Sequence, residues 1–157
     1  MEQTHFAQKL MPTLQARNPD FERTVRESFA RQQFMHTLGA TLAKVAAGAV
    51  DIALDYDAAL SQQNGFLHAG VITSIADSAC GYAALSLMPA GSEVLSVEFK
   101  VNLLAPARNT SFLAQGRVLK SGRTLTVCQG EVYGIAAGER SLIASMLATM
   151  IARTAPA

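Results

Sequence analysis

Apolar residues at Val71, Ile72, Ile75, Ala76, Ala79, Ala83 and Leu87 recur in steps of three and four. That period predicts a helix, and the run is too long for one strand. It is apolar nearly all round, as in a helix buried on most sides. Gly81 and the small residues Ala76, Ser78, Ala79 and Ala83 predict close packing against a backbone or a sheet. A polar loop starting at Gln62 leads in through His68-Ala69-Gly70, and Pro89-Ala90-Gly91 ends the pattern. One acid, Asp77, lies in the middle of it. From Val71 to Leu87 the only other ionisable side chains are Cys80 and Tyr82. A carboxylate is costly to bury without a partner, so something must satisfy or use it.

Before this helix, residues 1–16 read as a loose or helical arm, closed by Pro12 or by Asn18-Pro19. Asp20 is placed to cap a helix from Phe21 to about Phe34, with Glu22 and Glu27 opposed by Arg23, Arg26 and Arg31. Its sparse apolar positions suit a helix that packs by one face. Thr37–Ala47 and Ala49–Asp57 predict two strands joined at Gly48. The second alternates cleanly, with Val50, Ile52, Leu54 and Tyr56 on one face.

Beyond Gly91-Ser92 the period is two. Strands are predicted over Val94–Leu104, Thr110–Leu119, Thr124–Ile135 and Ser141–Ile151, with turns at Ser121-Gly122 and Ala136-Ala137-Gly138. Short turns imply antiparallel neighbours, so these four are expected to form a meander. A long apolar helix needs a curved sheet wrapped around it. The expected class is therefore α+β: a six-stranded antiparallel sheet around a central helix, with an extra N-terminal helix. Residues 1–36 form the helical extension in this reading and 37–157 the main domain.

The composition narrows the function without naming it. The chain has 157 residues, enough for one domain with a real core. No apolar run approaches a membrane span, and no basic stretch followed by an apolar one marks a secretion signal. A formal net charge of +1 without a basic block argues against nucleic acid as a partner. Cys80 and Cys128 lack metal-ligand spacing and read as reduced, buried thiols of a cytoplasmic protein. No metal or redox cofactor is indicated. Charged residues make up only 16% of the chain, which favours self-association.

Three segments in order carry a family resemblance: FLHAGVITSIADSACGYAA, VLSVEFKVNLLAPA and GRVLKSGRTLTVCQGEVY. Together they resemble the hotdog-fold acyl-CoA thioesterases of the PaaI-like group, over roughly residues 50–151. The resemblance implies a sheet wrapping the helix, a dimer formed by joining two sheets edge to edge, and often a tetramer. It implies an acyl-CoA substrate and a thioester hydrolase. Asp77 stands at the family's catalytic acid. Ala69 stands at the first glycine of its His-Gly-Gly motif, whose backbone N–H polarises the thioester carbonyl. This chain reads His-Ala-Gly, a departure that keeps the N–H but adds a methyl group. Gln62 or its neighbour Asn64 matches the amide that holds the carbonyl or the water, and Ser96 matches a position that helps place the water. Lys120-Ser121-Gly122-Arg123 corresponds to turns that bind the coenzyme A moiety, and Arg108 and Lys100 are further cationic candidates.

The spacing carries its own argument. Ala69 opens the helix, so its N–H and that of Gly70 lack partners within it and suit developing negative charge. Asp77 lies eight residues on, roughly 12 Å along the axis at 1.5 Å per residue. An acid and an N–H that far apart do not touch one carbonyl group. Two antiparallel helices would bring Asp77 of one against Ala69 of the other, which predicts a dimer with shared sites. Asp77 would act as general base on water or as a nucleophile.

Each residue also has a plainer role open to it. Asp77 is alternatively a buried acid satisfied by Thr73, Ser74 or Ser78. His68 is alternatively catalytic or a loop-fixing hydrogen bonder, and Ser96 a strand residue facing Asp77 or solvent. Gln62 and Asn64 are alternatively turn residues. The basic turn at Lys120–Arg123 is alternatively a solvated hairpin. The N-terminal helix either packs or lines an acyl pocket. A non-catalytic acyl-CoA-binding protein of the same fold is the competing function.

Overall fold

The computed structural model describes residues 14–154. The arm expected over residues 1–16 lies almost entirely outside them. Helix α1 spans Phe21–Arg31 and α2 Gln33–Leu38; strands are β1 (Thr41–Ala46) and β2 (Ala49–Asp55). After a short 3-10 turn at Ala58–Leu60 comes α3, Ala69–Leu85. It is followed by β3 (Ser92–Leu103), β4 (Ser111–Ser121), β5 (Leu125–Ala136) and β6 (Glu139–Thr154).

The six strands form one antiparallel sheet in the order β1-β2-β4-β5-β6-β3. This corrects the expected four-strand meander. Only β4, β5 and β6 follow one another; β3 pairs with β6 and takes the far edge. The reason lies in residues 104–110, which hold Pro106 and are no tight turn. The Leu104 N–H donates to Ile143 O at 2.8 Å and the Leu67 N–H to Ala107 O at 3.0 Å, so this link crosses the end of the sheet. By contrast, β5 and β6 meet at a true hairpin, where Ala137 and Gly138 have φ of 51° and 81°.

Helix α3 lies on the concave face, with Ile72, Ile75, Ala76, Ala79, Cys80, Ala83 and Ala84 at most 2% exposed. Full burial of each isoleucine side chain contributes about 1.5–3 kcal/mol. The sheet meets the helix at the paired glycines Gly116 and Gly130. A Cβ on Gly116 would sit 2.2 Å from Ala79 O. The small residues of α3 and these glycines thus bring helix and sheet backbones together, as the sequence predicts. At its far end, Ser86 Oγ accepts from the Gly48 N–H at 2.8 Å, tying α3 to the β1–β2 turn.

The N-terminal region differs from expectation in three ways. The helix predicted to reach Phe34 breaks at Gln32, whose backbone is extended (φ −82°, ψ 91°). Thr37 and Leu38, expected to start a strand, finish α2, which ends on Gly39 in the left-handed region at φ 74°. Asp20 makes no side-chain cap; Asn18 Oδ1 accepts from the Asp20 N–H instead. The apolar frame explains the break. Val25 and Phe29 pack inward four residues apart, whereas the next buried side chain is Met35. A single straight helix would not point all three inward.

Candidate active site

Asp77 sits halfway along α3, half-buried rather than enclosed. Its Oδ1 accepts a 2.7 Å hydrogen bond from Ser96 Oγ on β3. Nearby helix hydroxyls turn elsewhere: Thr73 Oγ1 donates to Ala69 O and Ser74 Oγ to Gly70 O. Ser78 accepts from Gln32. The acid is therefore satisfied from across the cleft by Ser96, not by its own helix. The cleft holds about 400 Å³ and is walled by α1, α3 and β3.

Ala69 opens α3, and its N–H has no protein partner among the described residues. Gly70 does not share that freedom, because its N–H donates to His68 Nδ1 at 2.8 Å. The expectation of two free donors is thus corrected to one. His68 caps the helix through its ring, a loop-fixing role that its position before Ala69 made readable. The loop before it is pinned by the His68 N–H to Leu60 O at 2.9 Å and by Tyr56 OH to Gly65 O at 3.0 Å. Gly65, at φ 79°, makes the turn that other residues rarely adopt.

Gln62 and Asn64, alternatives by sequence, have different positions. Gln62 lines a second cleft of about 360 Å³ with Ala69, Ile72, Leu104 and Pro106. Its side-chain oxygen accepts from the Asn64 N–H, which leaves its NH₂ group for the cleft. Asn64 is exposed in the turn and does not line that cleft. Arg108 stacks over the Phe66 ring at 4.5 Å beside it. Lys100 donates to Asn102 Oδ1 at 2.8 Å.

The structure therefore joins Asp77 with Ser96 in one cleft and Ala69 with Gln62 in another. It does not join the two sets within the single chain. Lys120, Ser121, Gly122 and Arg123 line a third cleft, with Arg17 and Leu87, that shares no residue with either. Sequence reasoning missed Gln32, which enters the Asp77 cleft at the break between α1 and α2. The signal was there: Phe29 to Met35 is off the three- and four-residue step.

Cys80 and Cys128 are both buried, as expected. Burial pushes the Cys128 thiol up to about 12 and Cys80 higher still, so neither is a nucleophile at neutral pH. Among the described residues no cluster of three or more His, Cys, Asp or Glu could hold a metal. No described helix is long and apolar enough to cross a membrane.

Comparison with known proteins fits this geometry. The thioesterase superfamily profile matches residues 64–135, which run from Asn64 in the loop through α3, β3 and β4 to the penultimate residue of β5. A thioesterase family protein from Silicibacter pomeroyi is 49% identical and superposes with a TM-score of 0.84, covering 85% of this chain and 98% of its own. A thioesterase from Haemophilus influenzae shares the fold at 20% identity and TM-score 0.73, covering 81% and 87%. So does the Escherichia coli PaaI protein of the phenylacetic acid degradation operon, at 16% and 0.77, covering 87% and 95%. The chain belongs to the thioesterase superfamily, in the hotdog fold its motifs resemble.

Proposed function

We propose that this chain is an acyl-CoA thioesterase whose catalytic halves lie on different protomers of a dimer. The observation that carries this reading is the separation of Asp77 and Ser96 from Ala69 and Gln62 in distinct clefts. A second protomer set antiparallel would complete each site with the other's half. The edge of β3 supports that pairing. Among the described residues it bonds only to β6, and Leu95, Val97 and Phe99 are 46%, 53% and 43% exposed along it. An open apolar edge strand calls for a partner.

In this reading the thioester carbonyl oxygen takes the Ala69 N–H at the positive end of α3, helped by the Gln62 amide. Asp77, held by Ser96, takes a proton from water as water adds to the carbonyl carbon, or adds directly to give a mixed anhydride that water opens. The C–S bond breaks and coenzyme A leaves as the thiolate. Lys120 and Arg123, with Arg17 on the same cleft, are proposed to meet the phosphates of coenzyme A.

The direct test is hydrolysis of aryl-, short-, medium- and long-chain acyl-CoAs by wild type and Asp77→Asn. Turnover lost in the variant, with fold retained, supports the reading. Binding of acyl-CoA without turnover in wild type would favour a binding protein instead.

A further inference from the structure

The break between α1 and α2 turns Gln32 into the Asp77 cleft, and the hydrogen bonds around it run in one direction. Tyr82 OH donates to Gln32 Oε1 at 3.1 Å, and Gln32 Nε2 donates to Ser78 Oγ at 3.3 Å. The amide is therefore held from both ends, its oxygen toward Tyr82 and its NH₂ toward the cleft. Two donors are left over. Among the described residues, neither the second Nε2–H of Gln32 nor the hydroxyl proton of Ser78 has an acceptor. Both residues line the cleft that holds Asp77.

The floor of the cleft fits an extended group leading there. Gly81 is one turn beyond Asp77, and a Cβ on it would meet nothing within 4 Å. Leu85, Val94 and Leu95 supply apolar flanks. Tyr82 lies beyond Asp77 on the helix, and the Gln32 amide it orients reaches back to Ser78, the residue directly after the acid. Free donors in a half-apolar cleft discriminate by what a substrate leaves unpaired.

We propose that Gln32, oriented by Tyr82, is a specificity-determining residue. It forms a subsite for acyl groups bearing a neutral oxygen acceptor, such as an ω-hydroxyl, in preference to plain hydrocarbon chains. The proposal rests on the thioesterase reading and deepens it.

The test compares kcat/KM for 6-hydroxyhexanoyl-CoA and hexanoyl-CoA in wild type, Gln32→Met and Tyr82→Phe. Wild type is expected to favour the hydroxylated ester by about tenfold or more. Either variant should bring the ratio toward one, and Tyr82→Phe carries the test if Gln32→Met does not fold. Equal rates in wild type, or a ratio unmoved in a folded variant, would overturn the subsite while leaving the thioesterase reading intact. No turnover of either ester, alongside none across the wider acyl-CoA panel, would overturn both.

Discussion

Ser96 Oγ donates a 2.7 Å hydrogen bond to Asp77 Oδ1, across the cleft from β3 to α3. This bond joins the strand at the open edge of the sheet to the only acid of the central helix. It fixes one carboxylate oxygen and leaves the other for water or substrate. Ser96→Ala should lower kcat by about tenfold, the worth of one hydrogen bond to a charged group, with little change in KM. Asp77→Asn should lose far more. Steady-state kinetics on a good acyl-CoA substrate check both, and a Ser96→Ala variant equal to wild type would remove Ser96 from the machinery.

The β3 edge gives a second prediction. Val97 sits at the register shift between Ser96 and Glu98, 53% exposed. Val97→Lys places a charge on the edge proposed to pair with a second copy. Sedimentation should show a monomer, with hydrolysis largely lost. A dimer that survives this change would place the interface elsewhere.

Close approach of helix and sheet can be tested by stability alone. A Cβ at Gly116 would meet backbone on α3, at 2.2 Å from Ala79 O and 2.6 Å from Cys80 N. No side chain can swing aside, so Gly116→Ala should destabilise by about 3 kcal/mol or more. Gly81→Ala meets nothing within 4 Å and should stabilise the helix by up to about 1 kcal/mol. Urea unfolding of the two variants reads both signs.

The buried thiols predict the response to alkali. Burial lifts Cys128 from its ordinary 9.0 to about 12, and lifts Cys80 further, aided by the nearby Cys128 and Asp77. The folded chain keeps these protons after the unfolded chain has lost them. Stability from them is therefore full below pH 9 and falls as pH rises toward 12, by up to about 1.4 kcal/mol per pH unit for each thiol. Unfolding free energies at pH 8, 9 and 10 should fall less steeply in Cys128→Ala than in wild type. Equal slopes would contradict the assignment.

Much of this was legible in the chain because it is local. The period of α3, the Gly and Pro punctuation around it, the isolated Asp77 and the His68 cap position all depend on residues close in sequence. The place of β3 was not, because the 104–110 link reads as an ordinary strand ending, and pairing with β6 is decided by tertiary hydrogen bonds to Ile143 and Leu67. The break at Gln32 carries no glycine or proline and shows only as a slip in the apolar frame. Asp20 looked like a cap, yet the cap bond depends on backbone angles that sequence does not reveal; here φ −95° and ψ 24° leave its side chain to Arg23. Gln62 and Asn64 have the same chemistry, and only the turn geometry separates them.

The central claim is that each site is shared between protomers, and subunit complementation tests it most directly. Asp77→Ala removes the acid. Ala69→Pro removes only the N–H: proline suits the first turn of a helix, and His68 before it already has the extended backbone that proline demands, φ −62° and ψ 138°. Each variant alone should be nearly inactive. Mixed and allowed to exchange, they should recover about a quarter of wild-type activity, because a mixed dimer holds one site with both halves intact. A mixture as inactive as its components, with mixed dimers shown to form, would mean that Asp77 and Ala69 serve the same protomer, and the shared-site account would fall.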